Sequence, residues 1–176
     1  MSQASDFTDR VPDLVDGRSF HSLAPDEAAD LLGDLWQAGE AGVEALVDAL
    51  DAQEGSGDWK ARFLLHALAN QAGDAVAVGA DQRAALTRQL TAMALEDHRP
   101  PGVRTFLLHR LQWLAGDDEA PALAPLVADP APDVRDAAAA VLTAVGEAAI
   151  EPLRGQLEGA GPASRLAIEH ALLQMD

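Results

Sequence analysis

Cysteine is absent from the 176-residue chain, and its absence excludes two kinds of site. Disulfide bonds and thiolate metal ligands both need a cysteine sulfur, so neither can stabilise this fold. Tyrosine is also absent, and aromatic residues make up only 4% of the chain, although 48% of its residues are hydrophobic. The core must therefore consist mainly of alanine and leucine, which are strong helix formers.

Long hydrophobic stretches are missing as well. No segment approaches the run of about 18 apolar residues that a membrane-spanning helix requires. Residues 1–9 do not show the basic stretch and apolar run of a signal peptide. We therefore expect a cytoplasmic protein that has neither a leader nor a membrane span.

Positive charge is scarce, because 12 lysine and arginine residues face 29 aspartate and glutamate residues, and the formal net charge is −17. A field of this sign repels the phosphate backbone of DNA and RNA, which disfavours a nucleic-acid-binding function. Two explanations of the acidic surface stay open. It keeps an alanine-rich protein in solution, or it selects a partner with a basic surface.

Residues 133–157 have the pattern of a helical hairpin. Relative to Arg135, the apolar positions −1, +3, +4 and +7 lie on one helical face, and they are Val134, Ala138, Ala139 and Leu142. Gly146 then follows as a residue that can take the left-handed conformation with which many helices end. The sequence therefore predicts a helix, a turn at Gly146 and a second helix.

This hairpin recurs along the chain. Arg104 lies 31 residues before Arg135 and is followed by leucines at +3, +4 and +7. Arg165 lies 30 residues after Arg135, and there Glu169 replaces the apolar residue at +4. A repeat of helix pairs at this period predicts an α-solenoid, in which each unit covers the apolar face of its neighbour.

The pattern predicts nine helices, so four antiparallel helix pairs are followed by a terminal helix. We expect the helices at 25–37, 40–52, 59–71, 81–96, 102–115, 119–128, 133–145, 147–158 and 162–174. Residues 25–176 then form the solenoid domain, and residues 1–24 form an N-terminal arm with a short helical piece at 11–16. The arm is either disordered or packs as a strap over the first repeat.

At this point the chain resembles HEAT-repeat proteins of the short-repeat type found in phycobilin lyase subunits. The resemblance extends from residue 101 to the end and is weaker over 25–73. The residues that carry it in one repeat are Asp129, Pro132, Val134, Arg135, Ala138, Ala139, Leu142, Gly146, Pro152 and Leu153. It implies an all-α fold, a right-handed α-solenoid or α-α superhelix, and a family that mostly supplies binding surfaces.

Histidine is the main candidate for chemistry. His66, His109 and His170 occupy the same slot, five residues after position zero of their helices. Stacked helices lie about 10 Å apart, which is too far for two imidazoles to share one metal ion. The chain also shows no catalytic triad spacing, phosphate-binding glycine loop or zinc signature. We therefore expect no catalytic residues, no metal, no cofactor and no enzymatic activity.

Two further residue types have structural interpretations. Arg104, Arg135 and Arg165 are expected to bond acids or carbonyls of the adjacent unit, Asp129 or Asp133 among them. Trp36, Trp59 and Trp113 are expected to pack between helices. Phe106 and Trp113 lie away from the main apolar stripe, and they would form a docking patch if exposed.

The second helices of such repeats usually line the concave face of a solenoid, so we expect the partner-binding surface there. Its candidate residues are Glu40, Glu44, Asp48, Arg83, Arg88, Glu147, Glu151 and Arg154. A surface that is acidic at both ends with arginines between them suits a protein or peptide whose basic residues flank a polar or acidic spot. The sequence therefore favours a non-catalytic scaffold that binds another protein.

Two alternatives remain at this stage. The resemblance alone implies a subunit or chaperone of a bilin lyase or a related tetrapyrrole-handling enzyme, in which covalent chromophore chemistry would not use a thiol of this chain. The unpaired last helix also needs a cover on its outer side. Polar capping by Arg165, Glu169 and Gln174, the N-terminal arm of a second copy, and a homodimer contact would each supply one.

Overall fold

The computed structural model describes residues 3–15, 19–20, 24–51, 57–74 and 77–175. Its contacts divide the chain into two compact units, Met1–Gln71 and Ala72–Asp176. Apart from two strands of two residues each, every regular element in the described ranges is helical. The all-α prediction is therefore confirmed.

The first unit begins with helix α1, Gln3–Thr8, which packs against helix α2, Pro25–Asp48. Ala4, Phe7 and Val11 are buried by this contact. The helix predicted at 11–16 is wrong, because strand β1, Leu14–Val15, pairs there with strand β2, Ser19–Phe20, in antiparallel register. Helical periodicity describes a single segment, so it cannot show a pairing in which the backbone groups of two separate segments bond each other.

Helix α2 is two helices joined by a kink at Gly39, as the sequence predicts. Gly39 has φ of 58° and ψ of −137°, a conformation that residues with a Cβ rarely adopt. Pro25 occupies the first turn, where its missing N–H group costs no hydrogen bond. Past the kink, α2 buries Val43, Leu46 and Val47. The second predicted helix ends at Asp48, four residues earlier than expected.

Helix α3, Trp59–Gly73, follows. The indole Nε1 of Trp36 donates a 2.7 Å hydrogen bond to the side-chain oxygen of Gln71, so α2 and α3 are joined through a part-buried tryptophan. The packing role predicted for Trp36 agrees with this contact.

The second unit has two layers of helices. The first layer consists of α5, Pro101–Leu111, α7, Pro132–Val145, and α9, Pro162–Met175, with α7 packed between the other two. The second layer consists of α4, Ala80–Leu95, α6, Ala120–Leu123, with the 3-10 helix Ala124–Ala128, and α8, Ile150–Gln156. Each second-layer segment packs beside a first-layer helix, which is the repeating arrangement of a HEAT-type α-solenoid.

The core between the two layers is aliphatic, as the composition predicts. The apolar face of α7 is almost completely buried, and Val134, Ala138 and Leu142 each have 0% exposure. Leu107 and Leu111 of α5 and Ile168 of α9 occupy equivalent slots and are also fully buried. The repeat periodicity therefore identified several core residues in each of the three first-layer helices. Ala139 and Leu172, at its +4 and +7 positions, are only half-buried, and Val141, outside the pattern, is fully buried.

The second-layer helices are shorter and less regular than predicted. The helix expected at 119–128 divides into α6 and a 3-10 helix, because Pro125 has no N–H group to continue the α-helical hydrogen bonds. The helix expected at 147–158 begins with the 3-10 turn Glu147–Ala149 and ends at Gln156. Pro152 fits within the first turn of α8, where no donor is required.

The arginine at position zero of each repeat bonds an acid or a carbonyl of an adjacent element, as predicted. Arg104 donates from Nε to the Ala94 carbonyl at 2.9 Å and forms a 2.7 Å ion pair with Asp129. Arg135 donates to the Asp129 carbonyl at 2.8 Å. Arg165 reaches the Leu157 carbonyl at 3.4 Å. Asp129 is therefore shared, since its side chain binds Arg104 and its carbonyl accepts from Arg135.

The buried ion pair gives a test of stability. The Arg104 and Asp129 side chains are only 6% and 7% exposed, so Asp129→Asn leaves a buried guanidinium without its counter-charge. Asparagine keeps the oxygen that accepts from the Ala131 N–H, which confines the change to the charge. We expect the free energy of unfolding, measured by urea denaturation, to fall by about 3–5 kcal/mol.

Glu151→Gln is the matched control, because the ion pair of Glu151 with Arg154 is exposed. We expect it to change the free energy of unfolding by less than about 1 kcal/mol. Equal losses in the two variants would show that Asp129 has no special role in stability.

Two glycines of α2 give a second test. Nothing lies within 4 Å of the Cβ that alanine would add at Gly33 or Gly39, so only the backbone distinguishes the two positions. Gly33→Ala should raise the free energy of unfolding by about 0.5–1 kcal/mol because it lies within a helix. Gly39→Ala should lower it by about 1–3 kcal/mol because of its φ. Thermal and urea denaturation measure both changes in the free energy of unfolding. If Gly39→Ala stabilised the protein, the positive φ at Gly39 would be contradicted.

Candidate protein-binding surface

Three of the predicted binding residues lie in the unit Met1–Gln71. Glu40, Glu44 and Asp48 are spaced four residues apart on the second half of α2, and all three are exposed. Like charges at this spacing destabilise a helix by a few tenths of a kcal/mol. Glu40, Glu44 and Asp48 form an acidic stripe on the part of α2 that also buries Val43 and Val47.

The other five predicted residues lie in the second layer of the unit Ala72–Asp176. Arg83 and Arg88 are on α4, Glu147 is in the 3-10 turn before α8, and Glu151 and Arg154 are on α8. All are exposed except Arg83, which is half-buried. Arg154 donates to Glu151 at 2.8 Å, so these two charges neutralise each other on the surface.

Arg88 lines a groove between α4 and α6, which we call the α4–α6 groove. Its volume is about 300 Å³. The residues that line it are Ala84, Arg88, Thr91, Ala92, Leu95, Asp118, Glu119 and Ala122. Arg88 is the one residue of the predicted set that lines this groove.

The α4–α6 groove combines small apolar residues with charges of both signs. Ala84, Ala92 and Ala122 leave space between the helices, and Leu95 is 37% exposed. Asp118 and Glu119 lie in the turn before α6, across the groove from α4. Glu119 also accepts a 2.9 Å hydrogen bond from the Gly116 N–H, which fixes the conformation of that turn. The groove therefore offers carboxylates on one side and a guanidinium on the other.

A buried hydroxyl lies at the α4–α6 groove. Thr91 is only 6% exposed, and its Oγ1 has no hydrogen-bond partner among the described residues. One turn earlier, Thr87 donates from Oγ1 to the Arg83 carbonyl at 2.8 Å, the usual arrangement for threonine within a helix. An unpaired buried hydroxyl is destabilising, so Thr91 is a candidate ligand for a bound partner.

Arg83 contacts a different feature of the same unit. Its Nη2 donates to the carbonyl of Trp113 at 3.4 Å. The Arg110 guanidinium lies 4.9 Å from the ring centre of Phe106 and 5.3 Å from that of Trp113, so it stacks between two aromatic side chains. Phe106 is buried, but Trp113 is 51% exposed, and the packing role predicted for Trp113 is therefore wrong. Trp113 lies two residues past the end of α5, where the helical face no longer directs its side chain.

Two of the three histidines in the predicted slot lie within hydrogen-bond distance of an amide side chain four residues later on the same helix. The His66 ring nitrogen lies 3.0 Å from the Asn70 amide, and that of His170 lies 3.2 Å from the Gln174 amide. His109 is exposed. Within the part of the chain that the structure describes, no three histidine, aspartate or glutamate residues form a group that could hold a metal ion. None of the described helices is long and apolar enough to cross a membrane.

Comparison with known proteins identifies no relative by sequence. No protein-family model matches the chain, and no curated protein matches it. Among solved structures, it is similar to a chain of the complex of CpcE and CpcF of phycocyanin lyase from Nostoc sp. PCC7120, with 21% identity and a TM-score of 0.44 over 84% of this chain and 90% of that one. A designed armadillo repeat protein is 17% identical, with a TM-score of 0.39 over 97% and 81% of the two chains. At these scores neither similarity supports a functional claim.

The sequence analysis missed three residues of the α4–α6 groove, Thr91, Asp118 and Glu119. The sequence analysis did not single out the two acids, since nothing in the sequence shows that α6 returns beside α4. Thr91 is indistinguishable by sequence from Thr87. Only the packing of α4 against α6 brings these groups together.

Thr91 and Thr87 form a matched pair for a stability test. Thr91→Val removes an unpaired hydroxyl while keeping the side-chain shape, and we expect the free energy of unfolding to rise by about 1 kcal/mol. Thr87→Val removes a made hydrogen bond and should lower it by about 1 kcal/mol. Urea denaturation of both variants measures the difference, and a loss of stability in Thr91→Val would show that its hydroxyl is already satisfied.

Proposed function

We propose that the chain is a non-catalytic interaction module that binds a protein partner through its second-layer helices. The observation that supports this proposal is the α4–α6 groove, which has an unpaired buried hydroxyl and charges of both signs on its walls. The partner contributes an exposed segment with small apolar side chains flanked by lysine or arginine.

The charges of the groove define this segment. Asp118 and Glu119 attract a basic side chain of the partner, and Arg88 on the other wall binds a polar or acidic group. The alanines between them leave room for an apolar side chain of the partner. The net charge of −17 accelerates encounter with a basic partner and makes binding salt-dependent.

The acidic stripe of the first unit extends the proposal to a second contact. Glu40, Glu44 and Asp48 present three carboxylates on one exposed face of α2. They suit further lysine or arginine residues of the same partner. Charge reversal at Glu44 and Asp48 should therefore weaken binding with less effect than closing the groove, because exposed charge pairs contribute little individually.

The bilin-lyase alternative is motivated by the sequence resemblance alone. A chain without cysteine has no thiol to offer a chromophore, so its role there would be that of a non-catalytic subunit or a chaperone. A change in visible absorbance when bilin is added to the purified protein would support this alternative. Self-association through α9 is compatible with either role, since α9 belongs to the other helix layer.

The test is affinity capture from a lysate of the native organism, followed by direct binding measurements on the protein that is captured. Ala92→Trp fills the α4–α6 groove at an exposed position, and we expect it to weaken binding at least about tenfold, or about 1.4 kcal/mol. Ala144→Trp is the matched control, because it makes the same change at an exposed alanine of α7 in the other layer.

Three outcomes distinguish the possibilities. A protein held by the wild type and by Ala144→Trp, lost with Ala92→Trp and released by salt supports the proposal. A partner that binds all three equally contradicts the groove as the site. Salt-sensitive binding of duplex DNA or RNA by the purified protein, with no protein captured, would replace it with a nucleic-acid function.

A further inference from the structure

Helix α9 exposes two leucines on the face that points away from the core. Leu166 is 69% exposed and Leu173 is 74% exposed, and they lie seven residues apart, so they form one stripe along the helix. Ser164, Ile168 and Ala171 on the opposite face are buried. Leu166 and Leu173 are the two most exposed large hydrophobic residues in the described part of the chain.

These leucines are not the ordinary residues of the repeat. They occupy positions +1 and +8 from Arg165, where α5 has Thr105 and Gln112 and α7 has Asp136 and Thr143. At position +4 the polarity is reversed, because the earlier repeats have an apolar residue there and α9 has a charged one. Leu108 is buried in α5, Ala139 is half-buried in α7, and Glu169 is exposed in α9. The outer face of α9 is therefore apolar where the earlier repeats are polar, and charged where they are apolar.

The sequence of this face is complementary to itself in the antiparallel direction. A two-fold axis between residues 169 and 170 places Leu166 opposite Leu173 of a second copy. The same axis places Glu169 opposite His170 and Arg165 opposite Gln174. A two-fold interface of this kind makes every contact twice, so a single helix supplies two leucine contacts and two carboxylate–imidazole contacts.

The surface beside the stripe permits close approach. A groove of about 410 Å³ runs between α7 and α9, and it is lined by Ala163, Leu166, Ala167 and His170 of α9 and by Arg135 and Asp136 of α7. The small alanine side chains leave room for the aliphatic side chains of a helix that crosses α9. Leu166 and His170 belong to both the stripe and the groove, which makes them one continuous surface.

We propose that this surface binds a second copy of the chain, with the two α9 helices antiparallel. The net charge of −17 opposes association, so the apolar contact has to overcome repulsion between the two copies. Salt screens that repulsion and leaves the leucine contacts intact. Self-association therefore strengthens with salt, whereas binding of a basic partner to the second layer weakens.

The first test measures mass against protein concentration by sedimentation equilibrium in about 0.05 M and about 0.5 M sodium chloride. We expect a monomer–dimer equilibrium between 18.4 kDa and twice that mass, shifted toward the dimer at the higher salt concentration. Leu166→Gln with Leu173→Gln should weaken it at least about tenfold. Leu95→Gln, the same change at an exposed leucine of the other layer, should leave it unchanged.

A wild type that stays monomeric in both salts, or a dimer that survives the double substitution, would overturn the proposal. The substituted leucines are exposed, so circular dichroism and thermal denaturation should show that the double variant folds as the wild type does. A result in which both double substitution and Leu95→Gln abolish the dimer would place the contact elsewhere.

The second test uses the absence of cysteine to determine the helix direction. Leu166→Cys and Leu173→Cys each introduce the only thiol of the chain. Antiparallel pairing predicts that a mixture of the two proteins forms the mixed disulfide under mild oxidation, in preference to either homodimeric disulfide. Preferential 166–166 and 173–173 disulfides would establish a parallel arrangement and rule out the two-fold axis between residues 169 and 170.

Discussion

The buried ion pair between Arg104 and Asp129 is the constraint on which the second unit depends. Arg104 lies in the first turn of α5 and also bonds the carbonyl of Ala94 at the end of α4, so one guanidinium joins α4, α5 and the turn before α7. Asp129 bonds the backbone of Ala131 immediately before α7. A guanidinium cannot lose its charge at ordinary pH, and a buried guanidinium without a counter-charge is strongly destabilising. The fold must therefore keep the Asp129 carboxylate beside Arg104. The pair thereby sets the distance between successive first-layer helices.

Arg135 shows what happens where this acid is missing. It occupies the same position in its repeat, but Ala160, which lies 25 residues after it as Asp129 does after Arg104, offers no carboxylate. Arg135 accordingly remains half-buried and bonds carbonyl oxygens, and Arg165 is exposed. The depths of Arg104 and Arg135 thus follow the charge available to each.

Features repeated in the sequence were predictable, and features made by distant contacts were not. The positive φ values of Gly39 and Gly146, 58° and 83°, follow from equivalent positions in two hairpins. The arginine contacts were likewise predicted, because buried arginine needs an acceptor. The pairing of β1 with β2 and the acidic wall of the α4–α6 groove were missed, since each depends on which segment returns beside another. The exposed Trp113 was missed because it lies just beyond a helix end.

The sharing of Asp129 has a consequence for how such a chain can grow. Residues 101–131 contain both Arg104 and Asp129, so one repeat carries its buried cation together with the neutralising anion. A tandem duplication of that segment would copy the pair as a unit and leave no unbalanced charge in either copy. A duplication or deletion of the whole segment therefore keeps the buried charges balanced, whereas a single substitution within the pair leaves one of them without its partner.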